Sequence, residues 1–544
     1  MTSFDYIITG GGSSGCVLAA RLSEDPAVKV LLLEAGGTDK GLLYHWPAGF
    51  ARMTKGVASW GWSTVPQRHM GGRSLWYTQA RVIGGGSSIN AQIYTRGNAR
   101  DYDGWGIAGW GYRDILPYFK RAEGNERFND GYHGSGGPLG VSMPRGALPI
   151  CDAFIRAGQD YGMPYNPDFN CSRQARVGYY QLTQREVRRS STAVAYLGPA
   201  KARPNLTVLT GAQALRIVLD KRRAVGVEVG QSGQPTLYRA TREVVLTSGA
   251  IGSPRLLQLS GIGPADHLSS VGVAVQHDLP GVGSNLQDHI DLCVLAQWSG
   301  PHSYDGMQRW DRSALAGLQY MLFKTGPVAA SLFETGGFWY ADPAAAYPDT
   351  QFHFGQGSGI EKSIVKLTGA GITLNSAYLR PRSRGTVRLG SADPTAAPLI
   401  DPNYWSDPHD LDMSLRGLAM ARDILRQPSL KPWLTAEALP GDHVQSREDL
   451  FAYACRMART DHHPVGTCKM GTDALAVVDP ELRLHGLEGL RVCDAAVMPL
   501  IPSSNTNAPT IMVGEKAADL IRGLDPLPPT RFRDERNDLR QELA

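Results

Sequence analysis

At 544 residues the chain is too long for a single hydrophobic core, so two or more domains are expected. Hydrophobic residues at 42% and charged residues at 19% describe an ordinary globular protein and exclude a disordered one. Fifty-five basic residues against 51 acidic ones leave a net charge of +4, which gives no electrostatic basis for nucleic-acid binding.

The first element in the chain is a βαβ unit. A short apolar run, Tyr6 to Thr9, meets Gly10, Gly12 and Gly15 in G-x-G-x-x-G spacing. A helical segment from Cys16 to Ser23 follows, then a second apolar run from Val28 to Leu33 that ends in Glu34. Gly10 permits the tight turn, Gly12 admits a pyrophosphate against the backbone, and Gly15 lets helix and strand pack closely. The helix N-terminus attracts the diphosphate, and Glu34 stands where a carboxylate accepts hydrogen bonds from a ribose diol. Gly11 to Gly15 also fits G-x-S-x-G, the nucleophile elbow of hydrolases, but that reading leaves Gly10 and Glu34 without a purpose. The early strand leaves no room for a signal peptide, and no apolar run approaches the roughly 20 residues that span a bilayer. Seven scattered cysteines without a C-x-x-C suit a reducing compartment. A cytoplasmic location is expected, with docking on the inner membrane left open.

A loop-rich stretch carrying Trp60, Trp62 and Trp76 leads to Gly84-Gly85-Gly86-Ser87-Ser88, with Asn90 just beyond. The tryptophans are expected to be packing residues. A second glycine cluster suits a cofactor whose ring system needs its own close backbone approach, which points to FAD rather than NAD. Asn205 to Val229 and Glu243 to Ser248 read as strands, the latter running into a glycine turn and a helix. From about residue 300 the pattern changes. Gln351-Phe-His-Phe and Thr386-Val-Arg-Leu alternate as in an antiparallel sheet. Helices are expected over Asp410 to Leu425, Arg447 to Met457 and Thr510 to Ile521, and a strand over Leu490 to Asp494.

Several long motifs carry a resemblance. Gly249 to Gly263, Arg81 to Gly97, Leu279 to His289, His463 to Gly471 and Asn505-Thr-Asn507-Ala-Pro-Thr together resemble the glucose–methanol–choline (GMC) family of FAD oxidoreductases, over about residues 4 to 523. Tyr161 to Pro167, Gly326-Pro-Val-Ala and Arg382 to Leu389 are most similar to its bacterial dehydrogenases of L-sorbose, followed by those of choline and aliphatic alcohols.

The resemblance implies an α/β fold: a Rossmann-like FAD-binding domain and a substrate domain built on an antiparallel sheet flanked by helices. The FAD domain would be assembled from 1–155, 201–299 and 463–525, the substrate domain from 156–200 and 300–462, with a polar tail at 526–544. It assigns FAD contacts to Gly10, Gly12, Ser14, Gly15, Glu34, Ala35, Val82, Gly85, Ser88, Asn90, Ala91 and Ile93. Further contacts fall on Ala214, Ser248, Asp494, Ala495, Asn505 and Thr506. His463 is implied as the base that takes the alcohol proton, and Asn507 as its partner. Chemistry supports a histidine there, because an alcohol must lose its proton as hydride leaves and an imidazole is mostly neutral at pH 7. His462 stands where the family usually has an aromatic residue. Ile89 cannot form the histidyl–flavin bond of some family oxidases, so non-covalent FAD is expected. His462, His463 and Cys468 match no zinc spacing, and no metal is expected.

The expected activity is oxidation of a primary alcohol or sugar, with electrons passed to a quinone, another carrier or O2. An FAD-containing hydroxynitrile lyase is the alternative of another class. Expected partners are the small-molecule substrate and the electron acceptor, without nucleic acid or a transmembrane segment, and a homodimer is compatible with the sequence.

Overall fold

The computed structural model describes residues 3–231, 234–300, 303–362 and 364–532. Ser3–Thr9 lies inside a seven-stranded sheet. Val30–Glu34 and then Leu206–Thr210 run parallel to it on one side, and Thr236–Leu246 runs parallel on the other. Val30–Glu34 is buried along its whole length, which is why it reads as an unbroken apolar run rather than an alternation. Gln213–Asp220 and Arg223–Gly230 extend the sheet as an antiparallel wing. Leu490–Val492 returns late in the chain to pair with the end of Thr236–Leu246.

A second seven-stranded sheet is antiparallel throughout. Its main path runs Leu434–Leu439, Ile290–Trp298, Gly371–Tyr378, Thr350–Gly355, Thr335–Trp339 and Arg176–Tyr179. Arg459–Thr460 adds a short ladder to Ile290–Trp298. Helix Pro408–Leu425 packs across the two central strands, where Gly417 lets it approach Ser376. The strand Ile290–Trp298 thus belongs to the second sheet, although the sequence placed it in the nucleotide segment. Thr386–Arg388 pairs only with Leu399–Asp401, as a separate two-stranded ribbon rather than as part of the main sheet. Gln351 to Phe354 is buried on both faces, so its alternation does not mark a solvated side. Residues 526–532 lie against the body, where Phe532 stacks on Tyr112 at 6.1 Å and the Thr530 N–H donates to Arg113 O. The remainder of the expected tail, 533–544, lies outside the described residues.

Helix Ser13–Leu22 packs against the carboxy-terminal helix Asn507–Arg522. One carboxylate ties these helices together. Glu515, fully buried, accepts from Arg21 Nη2 at 2.9 Å, Arg121 Nε at 2.8 Å and the Tyr196 hydroxyl at 2.7 Å. Removing this carboxylate takes one partner from each arginine and orphans the Tyr196 hydroxyl, but Arg21 keeps Glu24 and Arg121 keeps Asp519, so the cost falls below the about 3–5 kcal/mol of a wholly unpaired buried charge. Glu515→Ala is therefore expected to lower the thermal midpoint by several degrees. An unchanged unfolding curve would show that the cluster contributes nothing.

Candidate active site

The dinucleotide turn is built for close approach. Gly10 adopts φ +107°, and a Cβ there would lie 2.6 Å from Thr247 O. A Cβ on Gly15 would meet Gly10 O at 2.0 Å. Gly12 precedes helix Ser13–Leu22 without a side-chain cap or an acid in the first turn, so its leading amides stay available to an anion. The second cluster touches the first: Gly85, at φ +55°, sits so near that a Cβ would lie 2.7 Å from Gly12 Cα.

One cavity runs from this turn to the histidine loop. Gly10, Gly12, Ser14, Glu34, Ala35, Gly85, Asn90, Ala91, Ile93, Ala214, Ser248, Asp494, Ala495, Asn505 and Thr506 line it, together with His463 and Asn507. Gly15, Val82 and Ser88, expected among the contacts, do not. Gly15 is spent on helix–strand packing, Val82 is buried beside Gly37, and the Ser88 hydroxyl donates to Ile83 O and pins the turn. Trp60 and Trp62, expected to be packing alone, stack on each other at 4.9 Å and both line the cavity. The Glu34 carboxylate accepts from the Gly11 and Gly36 amides at 3.0 and 2.7 Å, leaving lone pairs for a ribose. Asp494 accepts from Gly249 N, Ser253 Oγ and Ala496 N, joining the strand end to helix Gly249–Leu259. Ser14 Oγ and Asn507 Oδ1 are buried cavity-lining atoms without a protein partner. An uncapped helix start, two glycine turns and orphaned polar atoms along an elongated cavity fit a dinucleotide with a ring system beyond it.

At the far end, Gln287–Asp291 and Arg459–Val465 run side by side. The pairs are Asp291 with Arg459 and Ile290 with Thr460, while Asp461 N donates to His289 O and Gln287 exchanges two bonds with Val465. This ladder sets His289 against His463, Nδ1 to Nδ1 at 3.1 Å. Asp288, buried between them, accepts from the Tyr77, Tyr404 and Thr460 hydroxyls and, at 2.8 Å, from the His463 amide. The motif Leu279 to His289 thus supplies two site residues that sequence reasoning used only as a family marker.

The partner that reaches His463 is Asn505 rather than Asn507. Asn505 Nδ2 stands 3.1 Å from His463 Nε2. Its Oδ1 accepts from Gln351 Nε2 and Thr95 Oγ1, which turns the amide N–H group toward the imidazole. Asn507 begins the carboxy-terminal helix, so its side chain swings to Ser13 Oγ at 2.8 Å. His462 also lines the cavity but contacts neither His289 nor Asn505 in the hydrogen-bond network.

Burial and the neighbouring imidazoles of His289, His353 and His462 hold His463 well below the ordinary histidine value. Burial lowers His289 to about 3 and His353 to about 4. Burial raises Asp461 to about 7, against the pull of Arg459. His289, Asp461 and His463 offer three potential metal-ligand atoms within 4.8 Å of one another, a grouping the sequence did not reveal. Both nitrogens of His289 and of His463 already have hydrogen-bond partners.

Two family models described as GMC oxidoreductase match residues 4–291 and 381–514. An alcohol dehydrogenase [acceptor] of Pseudomonas putida is 41% identical over 526 residues, 95% of each chain. The mitochondrial choline dehydrogenase of Homo sapiens is 41% identical over 533 residues, 96% of this chain and 90% of its own. Among solved structures, pyridoxine 4-oxidase from Mesorbium loti superposes with a TM-score of 0.87 at 32% identity, covering 96% of this chain and 100% of that one. Formate oxidase of Aspergillus oryzae gives 0.90 at 26% identity, covering 96% and 98%.

Proposed function

This chain belongs to the GMC oxidoreductase family and binds FAD, and from that premise we propose that it oxidises a hydroxyl group of a sugar or polyol. Bound FAD supplies the acceptor for the hydride that leaves the carbinol carbon. The chain's own part is to bind and orient the alcohol and to take its proton.

The observation that carries this reading is a chain of three acceptors. Leu379 O can only accept, so His289 Nε2, at 3.1 Å, carries a proton. A neutral His289 then has a bare Nδ1, which accepts from His463 Nδ1–H. That leaves the lone pair of His463 on Nε2, the nitrogen beside Asn505. A substrate hydroxyl placed there donates to His463 Nε2 while Asn505 Nδ2 donates to its oxygen. The alkoxide that develops gains a hydrogen bond as the proton moves to His463. Asp288 holds the backbone of this loop in place. Ile89, buried ahead of Asn90, offers no nucleophile to a flavin, which supports dissociable FAD.

Substrate class follows from the part of the cavity around His463. His353, Asn375, Glu361, Arg459, Asp461 and His462 line it. Among them His353 Nε2, Asn375 Oδ1 and His462 Nδ1 are buried without a hydrogen-bond partner, while Asp461 Oδ2 lies 3.4 Å from His463 Nδ1. Unpaired polar atoms are costly beside an alkyl chain and useful beside several hydroxyls. The name of the relative alcohol dehydrogenase [acceptor] supports a quinone or dye-type acceptor, and the solved oxidases make O2 the alternative that the test must separate.

Anaerobic mixing with L-sorbose, choline and a medium-chain alkanol tests this directly. Flavin bleaching is expected to be fastest with the sugar, and air should restore the colour only slowly. Faster bleaching by the alkanol would sink the polyol assignment, and rapid reoxidation in air would replace the carrier by O2. His463→Ala should keep its yellow colour and lose about 10²–10⁴-fold in reduction rate, and Asn505→Ala about 10²–10³-fold. Asn507→Ala should change cofactor retention more than the proton step, and equal losses in the two asparagine variants would refute the division of roles. A base held below the ordinary histidine value stays unprotonated as pH falls. The reduction rate is therefore expected to be level from pH 8 down to about pH 6, declining only in more acidic solution. An acid limb centred at or above the ordinary value of about 6.5 would contradict a depressed His463.

A further inference from the structure

The second glycine cluster is backed by a charge that no carboxylate neutralises. Gln184–Arg185 and Arg188–Arg189 form a two-stranded ribbon closed by Glu186 and Val187, both at positive φ, in the kind of turn whose twist matches the strands. The ribbon is fastened to the chain around that cluster. Thr183 N donates to Gln92 O, Gln184 Nε2 to Gln92 Oε1, and Thr192 N to Ser87 Oγ. The last residue of the ribbon, Arg189, is thereby carried inward and is 1% exposed. Its Nη1 donates to Asn90 Oδ1 at 2.7 Å and to Ser87 O at 3.2 Å. Gly85, Gly86, Asn90 and Ala91 line the cavity, so the guanidinium stands one layer behind that part of its wall.

Other buried arginines face carboxylates: Arg96 faces Glu123, Arg422 faces Glu437, Arg459 faces Asp291 and Arg491 faces Glu243. Arg189 has no ion pair among the described residues, and its Nε and Nη2 are buried without a hydrogen-bond partner. Burial pulls it down to about 9, and no carboxylate pulls it back. The guanidinium stays cationic at neutral pH. An unpaired buried cation is costly, and the cost is offset when a negative charge arrives beside it. Alcohol oxidation brings one. The C–H bond of the carbinol breaks, its hydrogen and both electrons go to the flavin, and the O–H proton goes to His463. The cofactor ends one unit more negative. We propose that Arg189 is a positioning and electrostatic residue for FAD: through Asn90 and Ser87 it fixes the second glycine cluster, and its uncompensated charge stabilises the reduced, more negative form of bound FAD over the oxidised form. Opposite charges attract strongly in an interior that excludes water, so a cation fixed there before the alcohol arrives makes the cofactor a stronger hydride acceptor.

The test reads the cofactor and needs no substrate: the midpoint potential of FAD in the holoenzyme, by equilibration with redox dyes, and the fraction of FAD retained on gel filtration. Arg189→Gln is expected to shift the equilibrium at least about tenfold toward the oxidised form, a fall of about 30 mV or more for a two-electron couple. Arg189→Lys keeps the charge and should recover most of that shift. Gln184→Glu opposes the same charge without removing it, because Gln184 lies directly across the ribbon from Arg189 and its Oε1 has no partner. A carboxylate there is expected to lower the potential in the same direction with FAD retained. A wild-type potential in Arg189→Gln overturns the proposal, and so does a fall in Arg189→Lys as large as in Arg189→Gln. If Arg189→Gln sheds its FAD, Gln184→Glu decides: a wild-type potential in that variant, or loss of FAD from it as well, would leave Arg189 a structural clamp and overturn the electrostatic role.

Discussion

The active site depends on the burial of one carboxylate. Asp288 collects hydroxyl donors from Tyr77 of the nucleotide-side loops, from Tyr404 after the short ribbon and from Thr460 at the edge of the second sheet, and it receives the His463 amide. A buried carboxylate with this many donors is satisfied only if all of these segments arrive together, so their relative positions are set by a single polar centre. His463 is therefore held through its backbone, leaving the imidazole free to make its own contacts with His289 and Asn505.

Around that centre the molecule divides its tasks between two sheets. The parallel sheet presents strand ends and helix N-termini to a dinucleotide, where glycines are required because backbone meets backbone. The antiparallel sheet presents side chains, His353 and Asn375 from its central strands and Arg459 from the short added one, to the space beside the base. The dinucleotide turn is thus built mainly from main chain and the cavity around His463 mainly from side chains.

This division explains what could be read from the sequence. The glycine turn, Val30–Glu34 and the helices Arg447–Met457 and Asn507–Arg522 are local patterns, and local physics determines them. Asn505, where Asn507 was expected, hydrogen-bonds His463 because the start of the last helix turns Asn507 to Ser13, and helix ends are the least legible part of a sequence. His289 is invisible as a site residue until the ladder between Gln287–Asp291 and Arg459–Val465 places it, since nothing local links the two segments. The helix Trp310–Phe323 escapes a reading by amphipathic period for the opposite reason: apolar residues on both faces blur the period.

The contact between Gly12 and Gly85 has a practical consequence. The cofactor's cradle is closed by two stretches of chain that are far apart in sequence yet touch through bare backbone. Neither stretch completes the cradle alone, so a bound flavin nucleotide stabilises their meeting, and the folded population rises with ligand concentration. The yield of folded protein from a host is then expected to rise with flavin supply, and a flavin-starved culture is expected to give more incompletely assembled chains.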